Sequence, residues 1–273
     1  MSNFAIITMR IRTRFLRDSY EITTRAKLIK VKKGVISKLQ MLADKYEVAT
    51  FCDEDPSQFL HWYEPSAGNG TIADVEAASF IAAMLAFGSR KQFIPKIKQI
   101  LTLADTSCGS ISKWLKSGSF SAGFPTGAAK FYRFYSFDDM QVFFGELAAI
   151  LKDFGSLGEY FKNRDLSAIF PKSAIVPKGR SSANKRIHMF LRWMVRRNSP
   201  VDLGLWTWAD PASLIIPLDT HVMQEAVKLG LIPPTSAASR KTAERLTAAL
   251  AQAFPGDPCR GDFALFGLGV DVL

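Results

Sequence analysis

Leu214-Ile215-Ile216-Pro217-Leu218-Asp219-Thr220-His221-Val222, running on through Ala226-Val227-Lys228-Leu229-Gly230-Leu231, is the stretch on which the reading of this chain turns. An apolar approach ends at a proline, and Asp219 stands where a helical apolar pattern begins. A carboxylate there satisfies the orphan N–H groups of a helix N-terminus. Asp219 is therefore an N-cap on the simplest reading, with His221 packing or capping beside it.

Upstream, residues 172–197 hold eight Lys/Arg and no Asp or Glu. Their first part, Pro177-Lys178-Gly179-Arg180-Ser181-Ser182-Ala183-Asn184, is a Gly/Ser turn. It feeds a helix whose apolar positions Ile187, Phe190, Leu191 and Met194 form one face. A turn entering a helix presents free backbone N–H groups that suit a phosphate. A solvated helix whose Lys/Arg stems snorkel fits the same composition, and both readings stand.

Further out, Ile36, Leu39, Leu42 and Tyr46 recur at helical spacing and stop at the acidic turn Cys52-Asp53-Glu54-Asp55-Pro56. Residues 71–87 form a run that is apolar on every side and belongs in a core. Gly88 marks a corner before an amphipathic segment from Phe93 to about Leu103, and further helices are predicted near 109–118, 138–154 and 157–164. With no sustained alternation of apolar and polar residues, the expected fold class is all-α.

The net charge is +10, and seven of those charges fall in residues 1–35, so the basic balance is largely that of an N-terminal extension. That extension is read as a phosphate-binding head, a mobile tail or a stretch preceding the native start. The folded domain is expected over 36–273. Cys52, Cys108 and Cys259 are too few and too scattered for a disulfide framework or a metal set. No apolar run reaches the roughly 20 residues that span a bilayer, and the expected location is the cytoplasm, with no membrane partner.

The segment Leu218-Asp219-Thr220-His221-Val222 followed by Leu229-Gly230-Leu231 resembles a stretch of the helix-hairpin-helix DNA glycosylase superfamily. Residues 243–246 and 254–269 resemble its closing helices, so the likeness is ordered over about 175–270. The chain is also similar to the bacterial DUF2400 family, whose characterisation has not reached an assigned chemistry. Four stretches carry that likeness: residues 81–92, 185–196, 201–206 and 215–221.

The resemblance implies two helical subdomains, roughly 70–170 and 36–69 plus 171–273, with a cleft between them that takes duplex DNA carrying a damaged or flipped base. It implies Lys185 as the nucleophile and Asp219 as the catalytic carboxylate. DNA would be bound by Lys178, Gly179, Arg180, Ser181, Ser182, Arg186 and His221. An unprotonated amine attacks the anomeric carbon, while the carboxylate accepts a proton or stabilises the cationic sugar. Basic neighbours Arg180 and Arg186 would help to lower the lysine's pKa. A non-catalytic nucleic-acid-binding module with the same fold is the alternative. Trp193, Trp206, Trp208 and Phe87 are the candidates for a base-stacking face. No cofactor or metal is expected, and no iron–sulfur cluster, because Cys259 stands alone after Asp219. Two features depart from the superfamily pattern: Lys185 and Asp219 lie 34 positions apart, and the turn has only Gly179 where two glycines are usual.

Overall fold

The computed structural model describes residues 29–162 and 164–270. It is 60% helical with 3% strand, which places the chain in the all-α class. In chain order the helices are α1 Lys33–Tyr46, α2 Ile72–Leu85, α3 Arg90–Cys108, α4 Ile111–Ser117, α5 Phe120–Gly123, α6 Phe137–Phe154, α7 Leu157–Phe161, α8 Lys185–Val195, α9 Thr220–Lys228, α10 Arg240–Leu250 and α11 Gly261–Val270. Residues 1–28 of the basic extension lie outside the described residues. Beyond them, Val31 is already buried, and its N–H and the Ile29 carbonyl both bond to Gln252.

Helix α2 is the centre of the molecule, and its composition explains why. Thr71 and Asp74 form a capping box at its start, and every residue from Ala73 to Leu85 is buried. Two carboxylates inside this apolar helix are each fully engaged. Asp74 accepts the Ser112 N–H at 2.8 Å and so ties down the start of α4. Glu76 accepts the N–H groups of Leu157 and Gly158 at the start of α7 and the Trp206 indole N–H at 2.7 Å. Burial pushes Glu76 above the usual carboxylate range despite those three donors. The Phe80 ring stacks on Phe170 at 4.7 Å and meets Phe190 edge-on at 4.9 Å, joining α2 to α8.

At the other end α11 packs on α1 and α9. Gly267 makes the first contact feasible, because a Cβ at that position would sit 2.2 Å from the Tyr46 ring.

One small element departs from the expected pattern. Strands β1 Lys130–Tyr132 and β2 Tyr135–Ser136 pair antiparallel, with Arg133 at φ 51° in the turn between them. Five residues are too short to establish a readable alternation.

Candidate functional site

Several chain segments meet around an open cleft of about 800 Å³, chief among them the Phe87–Arg90 corner between α2 and α3, the start of α8 and the start of α9, with Asp55, Pro56 and, from α11, Phe266 also in its wall. Lys185 is the first residue of α8, and Asp219 is the N-cap of α9. Across 34 positions of sequence the fold brings the Lys185 Nζ within 2.7 Å of an Asp219 carboxylate oxygen.

Asp219 serves two partners at once. One oxygen takes the lysine, and the other accepts the Val222 N–H at 2.8 Å, as an N-cap does. Burial raises its pKa, but the Lys185 charge and hydrogen bond, together with the Val222 N–H, outweigh that and hold it below the ordinary carboxylate value. The carboxylate is therefore ionised at neutral pH.

The preceding turn is built differently from the sequence expectation. The residue in the left-handed region is Asn184, at φ 45°, and Gly179 is not among the positive-φ residues. The Asn184 side-chain N–H donates to the Gly179 carbonyl at 2.7 Å, closing the turn instead of capping α8. Gly179, Arg180, Ser181 and Ser182 are exposed. Ser181 accepts the Arg240 N–H through its carbonyl, which fixes the turn to α10.

The other expected site residues divide clearly. Ser182, Arg186 and His221 line the cleft with the Lys185–Asp219 pair. The Arg186 guanidinium also donates to the Met84 carbonyl and to the Tyr135 hydroxyl, and lies 4.8 Å from the Phe87 ring. Lys178 is turned inward, its amine held by the carbonyls of Phe170 and of Ser173, the latter at 2.8 Å. Of the aromatic candidates, Trp193 and Trp206 are core residues, and Trp208 stacks on Trp206. Phe87 alone of the four lines the cleft.

Arg192 and Arg196, which belong to the basic run, are buried rather than solvated. Arg192 pairs with Asp262 at 2.5 Å and with Asp202 at 3.3 Å, and Arg196 pairs with Asp202, Asp257 and Glu47. The acids come from elsewhere in the chain, so a window containing only basic residues concealed the pairing. Sequence reasoning also missed Phe266, whose ring lines the cleft with the Arg90 guanidinium 5.4 Å away. One of two phenylalanines in an apolar helix, beside the buried Phe263, carries no signal that would mark it out.

Among the described residues no group of three His, Cys, Asp or Glu is arranged to hold a metal ion, and no helix is long and apolar enough to cross a membrane. The three cysteines are free thiols.

The fold and the cleft define a mostly helical protein with a lysine–aspartate pair set between helix N-termini. The chain belongs to the family described as "Protein of unknown function (DUF2400)", which it matches over residues 55–271. No curated protein and no solved structure matches it.

Proposed function

We propose that this protein binds damaged DNA and acts on it as an N-glycosylase with associated abasic-site lyase chemistry. The fold is read as the helix-hairpin-helix glycosylase type, with two helical halves facing each other across the cleft. One observation carries the reading: Lys185 and Asp219, which the superfamily resemblance singled out, stand 2.7 Å apart in the cleft wall. A nucleophile and a carboxylate within hydrogen-bond reach are what sugar chemistry at C1′ requires.

The ionised state of Asp219 favours an electrostatic role over that of a base. A carboxylate held below its ordinary pKa is a weak proton acceptor but a good neighbour for positive charge. In the reaction the bond between C1′ and the base breaks with its electron pair going to the base. The departing base takes a proton from the Lys185 ammonium. The amine left behind forms the new bond to C1′, and Asp219 faces the cationic sugar through the transition state. The C1′–O4′ bond then breaks with its electron pair going to O4′, which takes one of the two protons on the attacking nitrogen and becomes a hydroxyl, leaving a protonated imine on Lys185.

The contribution of the 177–184 turn to DNA binding narrows to its exposed part. Arg180, Ser181 and Ser182 face solvent, whereas the amine of Lys178 is occupied by carbonyls. A second reading, a nucleic-acid-binding module without catalysis, draws on the same pair. In it the Lys185–Asp219 ion pair stays closed and serves only to join α8 to α9.

Base release from duplexes carrying 8-oxoguanine, uracil or oxidised pyrimidines tests the choice. The catalytic reading expects release by the wild type and loss of it in Lys185→Gln and Asp219→Asn. Binding of the same duplexes with no release from any of them contradicts it and leaves the module.

A further inference from the structure

The β1–β2 hairpin packs against Phe87 and Gly88 of the cleft wall, and the chemistry at Lys185 leaves it unused. Phe134 in its turn is 60% exposed, among the most exposed large apolar side chains of the described residues. A phenylalanine left in water contributes little burial to folding. Yet this ring is held in place: it lies 5.2 Å from Phe87 at a 34° tilt and 4.6 Å from Tyr135, edge-on. Phe87 in turn faces the cleft.

The backbone beneath the ring is fixed as well. The Tyr132 hydroxyl donates to the Phe87 carbonyl, the Lys130 amine to the Phe134 carbonyl at 3.0 Å, and the Tyr135 hydroxyl to the Ile175 carbonyl at 3.3 Å. Gly88, at φ +83°, comes so close that a Cβ there would lie 3.0 Å from the Tyr132 hydroxyl. The hairpin carries Lys130 and Arg133, and the carboxylates of Asp138 and Asp139 that follow it are engaged by the Gly127 N–H at 2.7 Å and by the Ser136 N–H at 2.7 Å. The Arg133 guanidinium stands 5.8 Å from the Phe87 ring.

An exposed flat ring backed by a second ring, with Lys130 and Arg133 on the same hairpin, matches the chemistry of an unstacked nucleobase and its flanking phosphates. Every base offers a π-face, and each phosphate offers a charge. We propose that Phe134 is a stacking platform for an unpaired base beside the cleft wall at Phe87. The site thereby selects strands containing an unpaired base over unbroken duplex. This inference rests on the nucleic-acid reading of the cleft.

The test compares binding of the full chain to a duplex with a one-nucleotide bulge and to the same duplex unbroken, by fluorescence anisotropy at one salt concentration. The wild type prefers the bulged duplex. In Phe134→Ala that preference shrinks about tenfold, the scale of one base–aromatic stack, and in Phe134→Trp it returns. A thermal melt of Phe134→Ala matching the wild type's establishes that the exposed ring was not holding the fold. A wild type that binds both duplexes equally, or a Phe134→Ala variant that keeps the full preference, overturns the platform while leaving the glycosylase reading in place. A wild type that binds neither overturns both.

Discussion

Lys185 and Asp219 each have a structural duty beside the proposed chemical one, and the two duties separate by substitution. Asparagine caps a helix about as well as aspartate does, so Asp219→Asn keeps the Val222 bond and loses a partly buried ion pair, a cost between the roughly 1 kcal/mol of an exposed pair and the roughly 3–5 kcal/mol of breaking a buried one. Asp219→Ala loses the cap as well and costs about 1 kcal/mol more in urea unfolding. Both variants are expected to lose base release alike, because both lose the charge. His188, one turn beyond Lys185, makes the opposite case. Its ring is wholly buried with neither nitrogen hydrogen-bonded, and burial lowers its pKa to about 3. The unfolded chain therefore takes up a proton below about pH 6.5 that the folded chain refuses until about pH 3. Stability from this residue is complete above pH 6.5 and falls on acidification. His188→Leu is expected to gain on the wild type by about 1.4 kcal/mol per pH unit between pH 6 and 4, read from paired urea melts. A constant difference across that range would mean that the ring titrates normally.

Helix α8 shows what the sequence disclosed and what it concealed. Its apolar face was legible, because Ile187, Phe190, Leu191 and Met194 recur at helical spacing and all are buried. The fate of its cations was not. Arg192 and Arg196 look like their exposed neighbour Arg180 in a list of basic residues, but their partners Asp202, Asp257 and Asp262 come from later loops and α11. A buried arginine stripped of its role leaves carboxylates uncompensated, so Arg192→Met is expected to cost about 3–5 kcal/mol. Arg180→Ala is expected to cost little stability and to lower the salt dependence of DNA binding by about one counterion. If Arg192→Met instead folds normally and lowers the salt slope, the buried assignment is wrong. The hairpin escaped sequence reading for a different reason. Its strands span five residues, and Phe134 gains its meaning only from the Phe87 ring brought beside it from the end of α2.

At the scale of the whole molecule, the all-α class was readable from helical spacing and the lack of apolar–polar alternation, and the structure adds that most helices begin at a polar cap and end at a glycine or a polar turn. Thr71 with Asp74 and Ser136 with Asp139 are full capping boxes, and Gly109, Gly118 and Gly155 close their helices with positive φ. What no local rule supplies is the meeting of α8 and α9. That meeting depends on α2 holding α8 through Phe80 and on the interval after Arg197 being tied down by Trp206 on Glu76. The net charge of +10 is likewise a poor guide to a binding face, since much of it lies in residues 1–35 and two further arginines are internal. The glycosylase reading therefore rests on one juxtaposition rather than on overall charge. Its most direct test is borohydride trapping of the purified protein on duplexes carrying abasic sites and oxidised bases. A covalent protein–DNA adduct formed by the wild type and absent in Lys185→Gln is the predicted result, because reduction fixes an imine at the attacking amine. No adduct with any duplex, or an adduct that persists in Lys185→Gln, contradicts the assignment of Lys185 as the nucleophile.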